Sequence, residues 1–443
     1  MQRKAINRRA FIKKSAAGAA GFLLTPYSIS PLARARAFSF EGSRVVVVRD
    51  MSAVEPDNRT INSDAVLAMV DAGIRSLTMM EDVGEAWKSL FPGISPSSII
   101  SIKINCINAD LSSHPEVAYA IANGLARMRI DGHPFQEENI IIWDRWESEL
   151  RNAGYSINYG DPGVQCVATD DSRIGYSSTR YDVSGSNQPL SRIVTDISDY
   201  LINLSVFKNH STAGVTLSLK NHYGTCRYPD NLHAGFGDPY IPALNALSPI
   251  RNKQVLCICD ALFGIVSRGP TGPPQIVPKS LIFSADPVAH DSVGRQMLLD
   301  AGCPTTSMAS YISTASRNPY NLGVSDLSQI ELISIENPTT GIEKDDQHDI
   351  PSRFMPLQNY PNPFNARTTI AYRLAEPASV RLDVYSLTGR LVRRLVDQTQ
   401  ERGVYRVRWD SLSRDGTSVS SGTYIAGLYL NGVRHTIRMQ LIR

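Results

Sequence analysis

The sequence predicts an α/β domain followed by a small all-β sandwich. In the first part of the 443-residue chain, short apolar runs alternate with segments of helical periodicity, a pattern typical of strands covered by helices. From Leu357 onward the pattern changes to short alternating strands separated by turns. We therefore predict an α/β domain over residues 38–345, a linker over residues 346–356 and a sandwich over residues 357–443.

The α/β domain is predicted to contain a mixed or mostly parallel sheet with flanking helices, because its strands are apolar on both faces. Six runs have this character: Val45–Val48, Ile99–Ile104, Ile140–Trp143, Tyr200–Val206, Val255–Ile258 and Leu281–Ser284. Two segments, Pro115–Met128 and Pro287–Ala301, have helical periodicity, and a proline suits the first turn of each. The sandwich is predicted to contain Thr368–Tyr372, Ser379–Tyr385, Val404–Trp409, Gly422–Tyr429 and Thr436–Ile442.

Composition excludes several classes of function. The formal net charge of +3 is too small to indicate a nucleic-acid partner. Beyond the first 37 residues, no apolar run is long enough to span a membrane. The six cysteines form no CxxC pair, which argues against a zinc ribbon and a ferredoxin-type iron–sulfur cluster. Buried free thiols are favoured, with disulfides open in an oxidising compartment.

The first 37 residues have the features of an export signal. Arg8-Arg9 lies in a basic segment, and the apolar stretch Ser15–Leu24 is too short for a stable anchor. Ala35-Arg36-Ala37 offers the small residues of a cleavage site after Ala37. The pattern resembles a twin-arginine signal, which implies export of the folded protein; a basic tail before an amphipathic helix is the alternative.

Polar side chains lie where the predicted strands end, and the ends of parallel strands are where α/β sheets bind ligands. Lys103 and Asn105 follow one strand, and Asp144 follows another. We expect Lys103 and Asp144 to be catalytic and Asn105 to contact a cofactor. Asp286 follows Leu281–Ser284, where it can cap the next helix or act as a catalytic base or orienting group.

The densest polar segment, residues 208–224, begins where the strand Tyr200–Val206 leaves the sheet. Lys208 and Asn221 are predicted to hold a cofactor or an anionic substrate, with Lys220 as a catalytic residue. His210 and His222 are candidates for metal ligands or proton carriers, because imidazole does both near neutral pH. His233 is a further candidate nearby.

These segments together resemble the family known as domain of unknown function 362. The matching stretches are Ile102–Asn105, Ile140–Asp144, Leu201–His210, Gly214–Thr216, Leu219–Asn221, Asp260–Leu262 and Ser284–Ala289. Some members of this family add ferredoxin-like cysteine clusters, which this chain lacks. His210, Ala213-Gly214 and Lys220 are also similar to residues of nickel-pincer lactate racemases, which implies a nickel ligand and a cofactor-bearing lysine. Where those enzymes have Gly-Gly before the lysine, this chain has Leu217-Ser218-Leu219.

The C-terminal residues resemble another known module. Asn359–Asn365, Val384–Val392, Trp409-Asp410, Asp415-Gly416 and Ser421–Tyr424 are similar to the C-terminal sorting domain of type IX secretion substrates. This domain is related to the Ig-like domain of the flagellar hook cap, so the resemblance implies an Ig-like sandwich and delivery to the cell surface or medium. A simple adhesive or spacer sandwich is the alternative.

The leading hypothesis from the sequence is an exported enzyme that depends on a metal or cofactor and performs redox, hydride or proton transfer. Nickel, iron and zinc are the candidate ions. The expected partners are the twin-arginine translocase, the type IX secretion apparatus and a small acidic substrate. A surface protein that binds an acidic ligand without turnover is the alternative.

Overall fold

Two stretches of the chain are described by the computed structural model. They are residues 43–338 and residues 358–442 without 361, 363, 375–376, 402 and 431–432. The described residues fall into two units on either side of residue 340. The predicted signal (residues 1–37) and linker (residues 346–356) lie outside the described residues. No helix within these described ranges is long and apolar enough to cross a bilayer.

The N-terminal unit is built on a mixed sheet with helices on its faces. Its main strands are β1 (Ser43–Arg49), β2 (Ile100–Lys103), β5 (Ile140–Asp144), β6 (Gln165–Ala168), β9 (Tyr200–His210), β10 (Gly214–Thr216), β11 (Gln254–Ile265), β12 (Ser280–Ser284) and β13 (Ile330–Glu336). Two hairpins lie outside this sheet: β3 (Arg129–Ile130) with β4 (His133–Pro134), and β7 (Tyr176–Val183) with β8 (Ser186–Ser191). The helices are α1 (Ser63–Thr78), α2 (Val83–Ser89), α3 (Pro115–Ala126), α4 (Glu147–Asn152), α5 (Ser218–Asn221), α6 (Tyr240–Ala246), α7 (Ser248–Arg251), α8 (Pro287–Asp300) and α9 (Tyr311–Ala315).

The sheet order is β13-β1-β12-β11-β9-β2-β5-β6, with β10 paired to β9. Strands β11, β9, β2, β5 and β6 are mutually parallel, whereas β12 is antiparallel to both of its neighbours. The five parallel strands therefore end at one edge of the sheet, here called the carboxyl edge. Strand β12 ends at the opposite edge, which matters for the site described below. All six strands and both helices predicted for this unit are confirmed.

Both faces of the sheet are buried, which explains why its central strands are continuously apolar. On β5, Ile140 and Ile142 belong to the core on one face, while Ile141 and Trp143 belong to the core on the other. Helices α1 and α3 pack against the first face, and α6 and α8 against the second. All six cysteines are buried free thiols, as the sequence favoured.

The C-terminal unit consists of two antiparallel sheets, which confirms the predicted all-β region. The strands are β14 (Gln358–Tyr360), β15 (Thr368–Leu374), β16 (Ala378–Ser386), β17 (Leu391–Gln400), β18 (Gly403–Trp409), β19 (Gly422–Leu430) and β20 (Val433–Leu441). One sheet has the order β14-β15-β18 and the other β17-β16-β19-β20. Trp409 is fully buried in the core, in contact with the rings of Phe364 and Tyr424.

Candidate functional site

The carboxyl edge brings together polar side chains that are far apart in sequence. Lys103 ends β2, Asp144 ends β5, and Lys208 and His210 lie at the end of β9. A tight turn then leads into β10, which pairs back onto β9, and the chain continues into α5, which carries Lys220. Most of the residues predicted for the site therefore gather at one place.

The position of α5 is fixed by a buried carboxylate. Asp291 on α8 accepts hydrogen bonds from the backbone N–H groups of Ser218 and Leu219 at 2.9 and 3.0 Å. Its Oδ1 also accepts the Ser218 hydroxyl at 2.6 Å and lies 2.9 Å from His290 Nδ1. A carboxylate at the first turn of a helix satisfies donors that have no partner within the helix. Asp291 therefore acts on the site by holding the helix that bears Lys220.

Lys103 and Asp144 form a buried ion pair. The Lys103 Nζ lies 2.7 Å from Asp144 Oδ1 and donates a second hydrogen bond to the carbonyl of Ile104. Asp144 also accepts the backbone N–H groups of Cys106 at 2.7 Å and Arg145 at 2.8 Å. Since both charges are compensated, this pair is suited to positioning the ends of β2 and β5.

An amide network connects β2, β9 and α5. Asn105 donates to Asn221 Oδ1 at 3.0 Å, and Asn221 donates to Asn203 Oδ1 at 2.8 Å. Lys208 Nζ donates to Asn105 Oδ1 at 3.1 Å. Asn203 was not among the predicted site residues, although an amide inside an otherwise apolar strand was a usable signal. The network fixes the direction of the Lys208 amine.

Lys208 and Lys220 are buried amines without a carboxylate partner among the described residues. Lys208 is 0% exposed and Lys220 6% exposed, and neither forms an ion pair within the described ranges. Burial lowers the pKa of Lys208 from 10.5 to about 8. Burial, together with the nearby charge of Lys208, lowers the pKa of Lys220 from 10.5 to about 7.

Lys220 lies against His233 and Tyr223. Its Nζ is 3.2 Å from His233 Nε2 and 3.5 Å from the centre of the Tyr223 ring. His233 stacks on His210 with ring centres 5.6 Å apart. The sequence placed His233 nearby, whereas the aromatic contact of Tyr223 with the amine was not predicted.

The hydrogen bonds of His210 define its tautomer. Its Nδ1 accepts the backbone N–H groups of Thr212 and Ala213, both at 3.1 Å. Burial, reinforced by nearby cations, lowers the pKa of His210 to about 3, so the ring is neutral at physiological pH. The proton of the neutral ring therefore sits on Nε2, which makes the Nε2–H group of His210 a hydrogen-bond donor.

The expected metal site at His210 and His222 does not fit this geometry. A histidine that ligates a metal through Nε2 keeps its proton on Nδ1, but Nδ1 of His210 is an acceptor. His222 is fully buried, with Nε2 2.7 Å from Gln254 Oε1 and Nδ1 3.1 Å from Thr225 Oγ1. Gln254 is the first residue of β11, away from the carboxyl edge. Within the described ranges no three His, Cys, Asp or Glu side chains gather as metal ligands.

Asp286 is not brought to the site, which corrects the expectation from the sequence. It follows β12, the reversed strand, and so lies at the opposite edge of the sheet. Its carboxylate caps α8 by accepting the N–H groups of Val288 and Ala289 at 2.8 and 2.9 Å. It also accepts Ser43 Oγ and the Val324 N–H. The alternative role as a helix cap is the one that the structure shows.

Replacing Asp286 by alanine is expected to lower the free energy of unfolding by about 2 kcal/mol, because a helix cap and its tertiary hydrogen bonds are lost. Binding of acidic probes at the carboxyl edge should be unchanged. Urea denaturation and calorimetric titration with acetate measure the two effects. Weakened acetate binding with unaltered stability would contradict this assignment.

Comparison with known proteins defines both parts of this α/β-plus-sandwich protein. Residues 100–296 match the domain of unknown function DUF362, and residues 363–428 match the FlgD Ig-like domain. Each match falls in the part of the chain where the sequence predicted that resemblance. No curated protein matches the chain significantly.

Among solved structures, the chain is similar to PorZ, a surface component of the type IX secretion system of Porphyromonas gingivalis. The identity is 28%, the coverage 20% of this chain and 11% of PorZ, and the TM-score 0.16. FlgD of P. aeruginosa is 24% identical over 16% of this chain and 57% of that chain, with a TM-score of 0.14. A Thermotoga maritima protein is 9% identical over 54% of this chain and 59% of that chain, with a TM-score of 0.30. This chain therefore covers less than two thirds of each of these proteins.

Proposed function

We propose that the DUF362 domain is an enzyme that binds a small acidic substrate at the carboxyl edge and transfers a proton to or from it. The observation that carries this proposal is the pair of buried amines, Lys208 and Lys220, without a carboxylate partner among the described residues. Burying an uncompensated ammonium group is costly. A carboxylate or phosphate of a bound substrate would supply the missing negative charge.

The individual side chains are suited to distinct steps. Lys220, with a pKa of about 7, is in part a neutral amine near neutral pH, which is the condition for an efficient general base. It would accept a proton from the substrate and become an ammonium group. His210 would donate from Nε2–H to the oxygen on which negative charge develops. Lys208, oriented by Asn105, would bind the acid group.

The described side chains include an amine that can bind an acid group, a base and a hydrogen-bond donor, which are groups that proton transfer requires. Lys103 and Asp144 are positioning residues in this proposal, since each is already paired with the other. The twin-arginine pattern and the sorting-type module both predict export, so we propose that the substrate is met outside the cytoplasm. The twin-arginine translocase and the type IX secretion apparatus would then be the partners that export the protein.

Calorimetric titration with acetate and inorganic phosphate tests the binding part of the proposal. Wild-type protein should bind at least one of these anions, and K208M and K220M should each bind it at least tenfold more weakly. K88M is the matched control, because Lys88 lies on the surface and pairs with Glu85. Equal affinities in wild type, K208M and K220M would overturn the proposed site.

Hydrogen exchange tests the catalytic part. Pyruvate carries exchangeable C3 hydrogens beside a carbonyl and a carboxylate, so its deuteration in D₂O reports a base acting on a bound acid. Wild-type protein should accelerate the exchange, as followed by NMR, and K220M should not. Anion binding without any acceleration would leave the binding protein without turnover as the better description.

A further inference from the structure

Two arginines lie at the carboxyl edge near the buried amines Lys208 and Lys220, which are here called the lysine cleft. Arg227 is exposed and Arg145 partly buried, and neither has a carboxylate partner among the described residues. Arg145 directly follows Asp144, and Arg227 follows Cys226 after the turn that leaves α5. Arg145 Nη2 donates to the backbone carbonyl of Arg227 at 3.1 Å, which joins the two positions. Arg145 is also hydrogen-bonded to the side chain of Tyr176, and its Nε is buried without a hydrogen-bond partner in the described part of the chain.

Three acidic residues near Arg145 are in contact with other groups. Glu147 pairs with Arg151, and Asp171 pairs with Arg173. Asp170 accepts the backbone N–H of Glu147 at 3.0 Å. The carboxyl group of Glu149 is within electrostatic range of Arg145, but the two form no ion pair. The positive charge of Arg145 and Arg227 is therefore available to an incoming anion.

Exposed aromatic rings hold the two guanidinium groups. The Arg145 guanidinium lies 5.1 Å from the centre of the Trp146 ring, and that of Arg227 lies 5.5 Å from the Tyr228 ring. Trp146 and Tyr228 are 41% and 40% exposed. A guanidinium over an aromatic face is restrained by the ring, and the N–H groups that make no intramolecular hydrogen bond can contact a carboxylate or phosphate.

The arginine pair is contiguous with the lysine cleft. The buried thiol of Cys226 lies within electrostatic range of both Arg145 and Lys220. Gly224 is packed so closely that a Cβ there would lie 2.6 Å from Lys103 Nζ and 3.0 Å from Asp144 Oδ1. The segment from Lys220 to Tyr228 therefore runs along the carboxyl edge from one cationic group to the other.

We propose that the substrate is a small molecule with two acid groups, one bound by Lys208 beside the base Lys220 and the second bound by Arg145 and Arg227. This inference rests on the proposed function of the lysine cleft and specifies its substrate class. A dicarboxylate and a phosphorylated carboxylate share this chemistry. A substrate with a single acid group would use only the lysine pair.

Calorimetric titration with butyrate, succinate, glutarate and adipate at constant ionic strength tests the inference. One dicarboxylate of suitable length should bind at least tenfold more tightly than butyrate. R227Q should reduce this gain to less than threefold without changing the affinity for butyrate. R145Q should do the same, and R227Q serves if R145Q fails to fold, because Arg227 is exposed. The control R192Q removes an arginine already paired with Asp196 and should behave as wild type.

The outcomes separate this inference from the proposed function. Butyrate binding that depends on Lys208 and Lys220, without any gain for a dicarboxylate, would overturn the two-acid substrate and leave the lysine cleft intact. A dicarboxylate preference that persists in R145Q and R227Q would also overturn it. Failure of every acid to bind the wild-type protein would overturn both. A phosphorylated carboxylate such as phosphoglycolate, titrated in parallel, distinguishes the two kinds of second acid group.

Discussion

Raising the pH from 7 to 8.5 is expected to increase the free energy of unfolding of the N-terminal unit by about 2 kcal/mol. The cause is the pair of buried amines in the lysine cleft. The pKa of Lys220 is lowered to about 7 and that of Lys208 to about 8, in each case first by burial. In the unfolded chain both amines return to the ordinary lysine value of 10.5.

The free energy of unfolding increases with pH because the folded and unfolded states bind different numbers of protons. Below pH 7 both amines are largely protonated in the folded and the unfolded states, and the folded protein bears the full cost of burying two ammonium groups. Between pH 7 and 10.5 the unfolded chain retains protons that the folded protein has released. The contribution of these two amines to the free energy of unfolding therefore rises with pH over this interval. An anion bound at the site should flatten this dependence, because it favours the protonated amines.

Other titratable groups limit the pH range in which the lysines dominate the change in stability. Burial raises the pKa of the Cys166 and Cys226 thiols to about 12, and it also raises those of Cys106, Cys257 and Cys259. The unfolded state loses these protons first, so the thiols oppose the rise from the lysines as the pH approaches and passes about 9. Burial opposes the charged form of His114, but the adjacent Asp260 carboxylate raises the pKa of this imidazole overall, so its contribution to stability declines above pH 6.5. Both effects occur in wild type and in a lysine variant alike. The difference between the two proteins in the pH dependence of the free energy of unfolding therefore reports the contribution of the lysine.

Urea denaturation of the full chain at pH 7.0, 7.5, 8.0 and 8.5 measures the effect. Tryptophan emission reports mainly on the N-terminal unit, because Trp87, Trp143 and Trp146 lie there and only Trp409 lies in the other unit. K220M should lose more than half of the increase, and K208M a smaller part, while K88M should match wild type. An equal slope in wild type and K220M would show that Lys220 is not a buried amine of lowered pKa.

The sheet was predictable because its strands are buried on both faces. Ile140–Asp144 and Tyr200–His210 are apolar over most of their length, as expected for strands of a sheet covered on both faces. The edge strand β13 was not predicted, since it alternates exposed Glu331 and Leu332 with partly buried residues. Strand β17 was missed for the same reason: most of it is polar and only partly buried. Edge strands carry little of the apolar signal on which sequence-based prediction depends.

The sequence predicted those site residues that directly follow a parallel strand. Lys103, Asp144, Lys208 and His210 follow parallel strands and meet at the carboxyl edge. Asp286 also follows a strand, but the sequence does not reveal that β12 runs the other way. His222 was placed with Lys220, yet residues two apart in a helical turn point to nearly opposite sides. The helical geometry of this short segment sends Lys220 toward the cleft and His222 toward Gln254.

Replacing Asp144 by asparagine is expected to destabilise the N-terminal unit by about 3–5 kcal/mol, because it removes one partner of a buried ion pair. Lys103 is 1% exposed, and its Nζ would keep only the carbonyl of Ile104 and a neutral amide as acceptors. The close approach of Gly224 leaves little room for the amine to move elsewhere. Urea denaturation at pH 7, with tryptophan emission as the signal, measures the loss.

The double variant K103M/D144N separates the ion pair from simple loss of a hydrogen bond. Methionine matches the lysine stem in volume and leaves no charge to be compensated, so the double variant should recover much of the stability lost in D144N. K103M alone should cost less than D144N, since the Asp144 carboxylate keeps the backbone N–H groups of Cys106 and Arg145 as donors. Additive effects of the two substitutions would show that the charges do not stabilise each other. Recovery of stability together with anion binding equal to that of wild type would agree with a pair that holds the ends of β2 and β5 without touching the substrate.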